Sequence, residues 1–119
     1  MGKLSIQKTP DAKKRALEPC DSPCPIERGM RIIGGKWKGS ILWHLRVGPV
    51  RFNDLARQLI GASRRMVSQR LKEMESAGLI SRTVLSTRPV AVEYEITEFG
   101  RSALLVLEEL KQWSDSHDL

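Results

Sequence analysis

Between Asn53 and Leu79 two short stretches with helical apolar spacing are separated by four residues and closed by a glycine. Few folds accept that arrangement. Leu55 and Leu59, four apart, face one way on a helix expected from Asp54 to Ile60, with Asn53 as its N-cap and Gly61 ending it. Ser63 caps a longer helix, Arg64 to Ala77, whose apolar set is Val67, Leu71 and Met74. Gly78 then supplies the left-handed residue after a helix end, and Leu79 can fold back on Met74. Two helices joined by the turn Ile60-Gly61-Ala62-Ser63 have the sequence shape of a helix-turn-helix.

The flanking chain extends that reading. Ile80 to Leu85 and Ala91 to Thr97 are expected strands. In the second, Val92, Tyr94 and Ile96 alternate with Glu93 and Glu95. Ser86 to Val90 is the loop between them, so a hairpin, a wing, follows the helix-turn-helix. Val50-Arg51-Phe52 is too short to stand alone but can pair at the sheet edge. Upstream, Pro25 fits the first position of a helix running to Ile33, which Gly34-Gly35 stops. Trp37 to Val47 is a second helix, broken by Gly48-Pro49. Thr97 caps a last helix from Glu98 to about Ser114. Along it Ala103, Val106, Leu110 and Trp113 form one apolar seam, widened by Leu104 and Leu107 beyond what one small domain needs to cover. The expected fold is mainly α with a small β-hairpin: a winged helix-turn-helix with extra helices at both ends. It spans residues 20–119, behind a mobile basic arm at residues 1–19.

Composition narrows the function. The chain has 119 residues, room for one core, and its formal net charge of +6 suits a polyanionic partner. No apolar run approaches the length needed to cross a bilayer. The basic N-terminus lacks the apolar region of a secretory signal, so a cytoplasmic protein is expected. Cys20 and Cys24 are the sole cysteines, which argues against a disulfide framework and makes a weak zinc site. No nucleophile elbow, phosphate loop or metal-ligand cluster is present, and His44 lies among apolar residues as a packed or edge histidine. No enzyme activity, metal or cofactor is expected. Two readings remain: a DNA-binding regulator, or a winged helix used to bind a protein. An accessible basic face on the fourth helix favours the first, and an apolar one the second.

That face carries Arg65, Ser68, Gln69 and Lys72, spaced i, i+3, i+4, i+7, with Arg64 at the N-terminal end that enters a major groove. By geometry Gln69 suits adenine and Arg65 suits guanine. Arg88 at the hairpin tip is read either as a minor-groove or phosphate contact or as an exposed loop arginine. Arg51 and Arg57 are equally open between phosphate and solvent. Arg70 and Arg82 have no assigned role.

From about Cys24 to Trp113 the chain resembles the HxlR-type winged helix-turn-helix regulators of bacteria and archaea. The residues that carry the resemblance are Cys24-Pro25-Ile26-Glu27, Gly34-Gly35-Lys36-Trp37, Arg51-Phe52-Asn53-Asp54-Leu55, Gln69-Arg70-Leu71, Gly78-Leu79-Ile80, Glu93-Tyr94 and Thr97-Glu98-Phe99-Gly100. It implies a homodimeric regulator of double-stranded DNA, repressor-like and bound to an inverted repeat. The first and last helices would form the dimer, through Ile26, Met30, Val106, Leu110 and Trp113. One stretch departs from the family pattern. Pro89-Val90-Ala91-Val92 replaces a double proline with a following basic residue, and the basic residue sits earlier, at Arg88. Cys24 occupies the position where some members sense electrophiles or oxidants. A thiol switch there, with Cys20 or a partner-chain cysteine as resolving thiol, stands beside an unreactive cysteine at a helix start.

Overall fold

The computed structural model describes residues 24–119. The expected arm and Cys20 lie outside the described residues. The chain runs α1 (Pro25–Ile33), α2 (Lys38–His44), β1 (Val50–Arg51), α3 (Phe52–Gln58), α4 (Arg64–Ser76), β2 (Ile80–Thr87), β3 (Val90–Ile96), α5 (Glu98–Ser102) and α6 (Leu104–Ser116). The strands form one antiparallel sheet in the order β1-β3-β2. Val50 lies opposite Tyr94 in β3, and Ile80 opposite Ile96. This is a winged helix-turn-helix: α3 and α4 are the two helices of the motif, and β2 and β3 are the wing.

The core collects the inward face of every central element. Ile41, Leu42 and Leu45 come from α2 and its end, Leu55 and Leu59 from α3 and its end, and Val67, Leu71 and Met74 from α4. Leu79, Ile80, Tyr94 and Ile96 close it from the sheet side, and Leu107 of α6 completes it. The helix-turn-helix is therefore fixed by burial on both its helices.

The end of α4 follows the expected chemistry. Gly78 takes φ +81°. The Leu79 N–H donates to Met74 O at 3.0 Å and the Gly78 N–H to Glu75 O at 3.0 Å. These are the two bonds of a Schellman cap, which satisfy carbonyls the helix leaves open.

Four boundaries differ from the sequence reading. The second helix is shorter than Trp37 to Val47 because Trp37 is left-handed, at φ 78°, and so stands before the helix as its N-cap. Its indole instead lies against Gly61, 3.7 Å from where a Cβ on that glycine would sit. The helix-turn-helix turn rests on this ring. The third helix starts at Phe52, so Asn53 is inside it and not its cap. β1 delivers the chain with Arg51 extended, and Arg51 takes the N-cap position with no side-chain cap bond. The wing is longer than expected, with only Arg88-Pro89 between the strands and a register shift between Val84 and Ser86.

The last helix is two helices. Thr97 does cap α5, its Oγ1 accepting from the Gly100 N–H at 3.0 Å. At Ala103 an N–H to Gly100 O bond of 3.0 Å tightens the turn before α6 begins. The expected apolar seam is divided accordingly. Ala103, Leu104 and Leu107 belong to the domain's own core, while Val106, Leu110 and Trp113 stay about half exposed, at 55%, 50% and 54%. α1 has no buried residue, and Ile26 and Met30 are 75% and 54% exposed.

Gly100 is the tightest point of this junction. A Cβ there would meet the Leu79 carbonyl oxygen at 2.2 Å and Ile96 Cγ1 at 2.8 Å. Gly100→Ala should lower the unfolding free energy by about 1–3 kcal/mol, the range for overpacking a filled site. Gly29→Ala, where the added methyl meets nothing within 4 Å, should not destabilise the protein. Urea unfolding of the two variants checks the pair, and equal midpoints would mean that Gly100 is not a steric constraint.

Candidate nucleic-acid interface

α4 is built as a helix with two different sides. Ser63 Oγ accepts from the Met66 N–H at 3.0 Å and fixes where the helix begins. Val67, Leu71 and Met74 are buried against the domain. On the other side Arg65, Gln69 and Lys72 are exposed, and Ser68 is half-buried toward the wing. The expected donor face exists, and its long side chains reach away from the core.

Arg64 differs from its neighbours. Its Nη2 donates to Asn53 Oδ1 at 2.7 Å, and its guanidinium lies 4.9 Å from the centre of the Phe52 ring. The helix-start arginine is therefore held in place by α3 before any partner arrives. This also explains Asn53: displaced from the cap, its side chain orients Arg64.

Arg70, unassigned from sequence, works inward. Its Nε donates to Lys36 O at 3.0 Å, and its Nη1 reaches both oxygens of Glu73 at 3.1 Å. Lys38 Nζ stands 3.6 Å from the same carboxylate. The group ties α4 to the loop before α2 and neutralises an acidic residue on α4. Arg70 and Glu73 are three apart, so their pairing could be read from spacing. The Lys36 carbonyl, 34 residues away, could not.

Arg57 pairs with Asp54 on α3. Arg88 sits exposed at the wing turn, its backbone N–H donating to Ser86 Oγ at 3.3 Å. Between α4 and the wing runs an open groove whose lining includes Arg51, Arg64, Ser68 and Arg82. Arg51 and Arg82 are exposed.

A second concave surface lies across the molecule, between α1, α2 and α6. Met30, Ile33, Trp37, Trp43, Val106 and Leu110 make it largely apolar, and His44, half-buried, lies at its edge. At the rim the Asp115 carboxylate accepts from Lys111 Nζ at 2.9 Å, a bond that raises the lysine above its ordinary pKa. Cys24 takes the N-cap position of α1, half-buried, its carbonyl accepting from the Arg28 N–H at 2.9 Å. Among the described residues no group of three or more His, Cys, Asp or Glu side chains could hold a metal ion. Among them, too, no helix is long and apolar enough to cross a membrane.

The family model described as HxlR-like helix-turn-helix matches residues 32–118. The HTH-type transcriptional regulator YybR of Bacillus subtilis (strain 168) is 36% identical over 106 residues, covering 89% of this chain and 85% of its own. Among solved structures, the redox regulator HypR in its oxidised form superposes with a TM-score of 0.73 at 39% identity, covering 78% of this chain and 96% of that one. The reduced form of the transcriptional regulator YodB from B. subtilis gives a TM-score of 0.67 at 35% identity, covering 77% of this chain and 91% of that one. The chain thus belongs to the HxlR-like helix-turn-helix family and is a transcriptional regulator of the helix-turn-helix type.

Proposed function

We propose that this regulator binds double-stranded DNA sequence-specifically, with α4 in the major groove, as a homodimer on an inverted repeat. The observation that carries the reading is the face of α4. Arg65, Gln69 and Lys72 are exposed on a helix whose opposite side is buried, and the wing stands beside it. A helix that docked a protein would present an apolar face there. Arg65 and Gln69 read bases, Arg64, Ser68 and Lys72 hold the backbone, and Arg88 reaches the flanking groove from the wing. The regulator acts in the cytoplasm, and repression follows from occupying the operator.

Removing one bidentate base contact should cost about 1–3 kcal/mol of operator affinity. Arg65→Ala and Gln69→Ala should each show this at fixed salt on a duplex selected from random sequence by the parent protein. Parent-like affinity in both would remove α4 from the interface.

The dimer reading rests on apolar surface that the domain leaves uncovered. Ile26 and Met30 on α1 and Val106, Leu110 and Trp113 on α6 are all at least half exposed. Surfaces of this kind mark association sites. In a two-fold dimer the α4 helices lie about one DNA turn apart, roughly 34–36 Å. Sedimentation should give a dimer at micromolar concentration, and Leu110→Glu should give a monomer. A parent protein that sediments as a monomer with and without DNA would exclude the arrangement.

Cys24 is the proposed sensor of an electrophile or oxidant. It begins α1, where a helix N-terminus favours a thiolate, and Arg28 supports the same shift while Glu27 opposes it. The similarity to HypR, a redox regulator, supports the reading. Modification adds bulk or charge at α1, shifts the dimer, and so changes the spacing of the α4 helices. Cys20 or a partner-chain cysteine is the proposed resolving thiol. Operator affinity of the parent should change after treatment with a quinone or mild oxidant. Cys24→Ser should not respond, whereas Cys20→Ser should still respond to the quinone. If the parent keeps its affinity with modification of Cys24 confirmed by mass, there is no switch at this residue.

A further inference from the structure

Among the described residues, the groove between α4 and the wing is lined by three arginines and by no carboxylate. Arg64 stands on the helix side, Arg51 at the end of β1, and Arg82 on the wing. The strand register explains why Arg82 is there. Ile80, Arg82 and Val84 share one face of β2, opposite Ile96, Tyr94 and Val92 of β3. Ile80, Tyr94 and Ile96 of that face are buried, but Arg82 and Val84 are exposed. The face that begins as core thus runs out past the helices into an open groove, and Arg82 is the first residue of β2 beyond the edge.

Three arginines of α3 and α4 are already engaged, Arg64 on the groove's border among them. Arg57 and Arg70 each hold a carboxylate, and Arg64 holds the Asn53 side chain. Among the described residues Arg51 and Arg82 make no ion pair or side-chain hydrogen bond. Guanidinium groups gathered round one groove repel one another until an anion sits between them.

We propose that this groove seats one phosphate of the DNA backbone, with Arg82 as its wing-side contact and Arg64 as its helix-side contact. The proposal rests on the reading of α4 as the DNA-contacting helix. A phosphodiester oxygen matches the forked donors of arginine. Arg64 gives one N–H to Asn53 and keeps others for the phosphate. Its position over Phe52 means that little side-chain freedom is lost on binding. The Ser68 hydroxyl, half-buried on the same wall, is a third donor. Such a contact carries no sequence information. It fixes the register of α4 in the major groove by clamping one strand between helix and wing.

The test compares the parent with Arg82→Ala, Arg82→Gln and Arg82→Lys on two duplexes across a salt series. One duplex is selected from random sequence by the parent, and the other is unrelated to it. Arg82→Ala and Arg82→Gln should weaken both duplexes by a similar factor, roughly tenfold. They should also make the salt dependence shallower by about one unit per lost contact. Arg82→Lys should recover part of the affinity. A single methylphosphonate placed at the contacted phosphate should weaken the parent by a larger factor than it weakens Arg82→Ala, which keeps only the Arg64 and Ser68 contacts to lose. Thermal unfolding of each variant establishes that the fold is kept, and Arg82→Gln retains most of the side-chain stem if the alanine variant is unstable. Parent-like affinity and salt slope in Arg82→Ala, with Gln69→Ala impaired, would overturn the phosphate seat and leave the α4 reading intact. Losses confined to the selected duplex would overturn it in favour of a base contact. If the Arg65, Gln69 and Arg82 variants all bind like the parent, the α4 reading and the phosphate seat fall together.

Discussion

The angle between the fourth helix and the wing depends on one carbonyl oxygen, that of Leu79. The Thr97 N–H donates to it at 3.0 Å, and the Thr97 hydroxyl is shared between it and Gly78 O, 3.0 and 2.7 Å away. Gly100 is pressed against the same oxygen. Here α4 ends, the wing begins, the wing returns and α5 starts. A residue with any side chain at position 100 would push that corner open. The donor face of α4 and the arginine of β2 can border one groove because this corner holds the two elements in a fixed relation.

A second constraint acts at the middle of α4. Arg70 ties the helix to the Lys36 carbonyl, and Lys38 joins the same carboxylate from α2. The left-handed Trp37 between those lysines places its indole under Gly61 in the helix-turn-helix turn. The helix is thus held at its middle and past its C-terminal end, and the turn before it rests on the Trp37 indole. Its exposed donors stand on a rigid element, which lowers the ordering cost of recognition.

The parts that were legible in the sequence are those whose signals are local. Ser63, Gly78 and Thr97 each terminate or start an element within a few residues of themselves, so their roles could be read from spacing. The α4 donor face followed from helical period alone. The misplaced boundaries share a different cause. Asn53 has the chemistry of a cap, but β1 sets where α3 begins. Trp37 has the spacing of a core helix residue, but Gly34-Gly35 and the Gly61 turn draw it into a left-handed conformation. The long last helix is periodic throughout, and nothing local marks the break imposed by Gly100 at Leu79. Arg70 is not placed by local spacing because the carbonyl it binds lies 34 residues away, and the position of Arg82 beside the groove depends on the strand register.

α1 has nine residues and none of them is buried. A helix that short does not persist alone in water. Ile32 and Ile33, at its C-terminal end, are the residues that touch the core. Order in α1 therefore decays from the core outward, and its first turn, which Cys24 begins, has the lowest local stability of the helix. A partner surface that covered Ile26 and Met30 would hold that first turn in place.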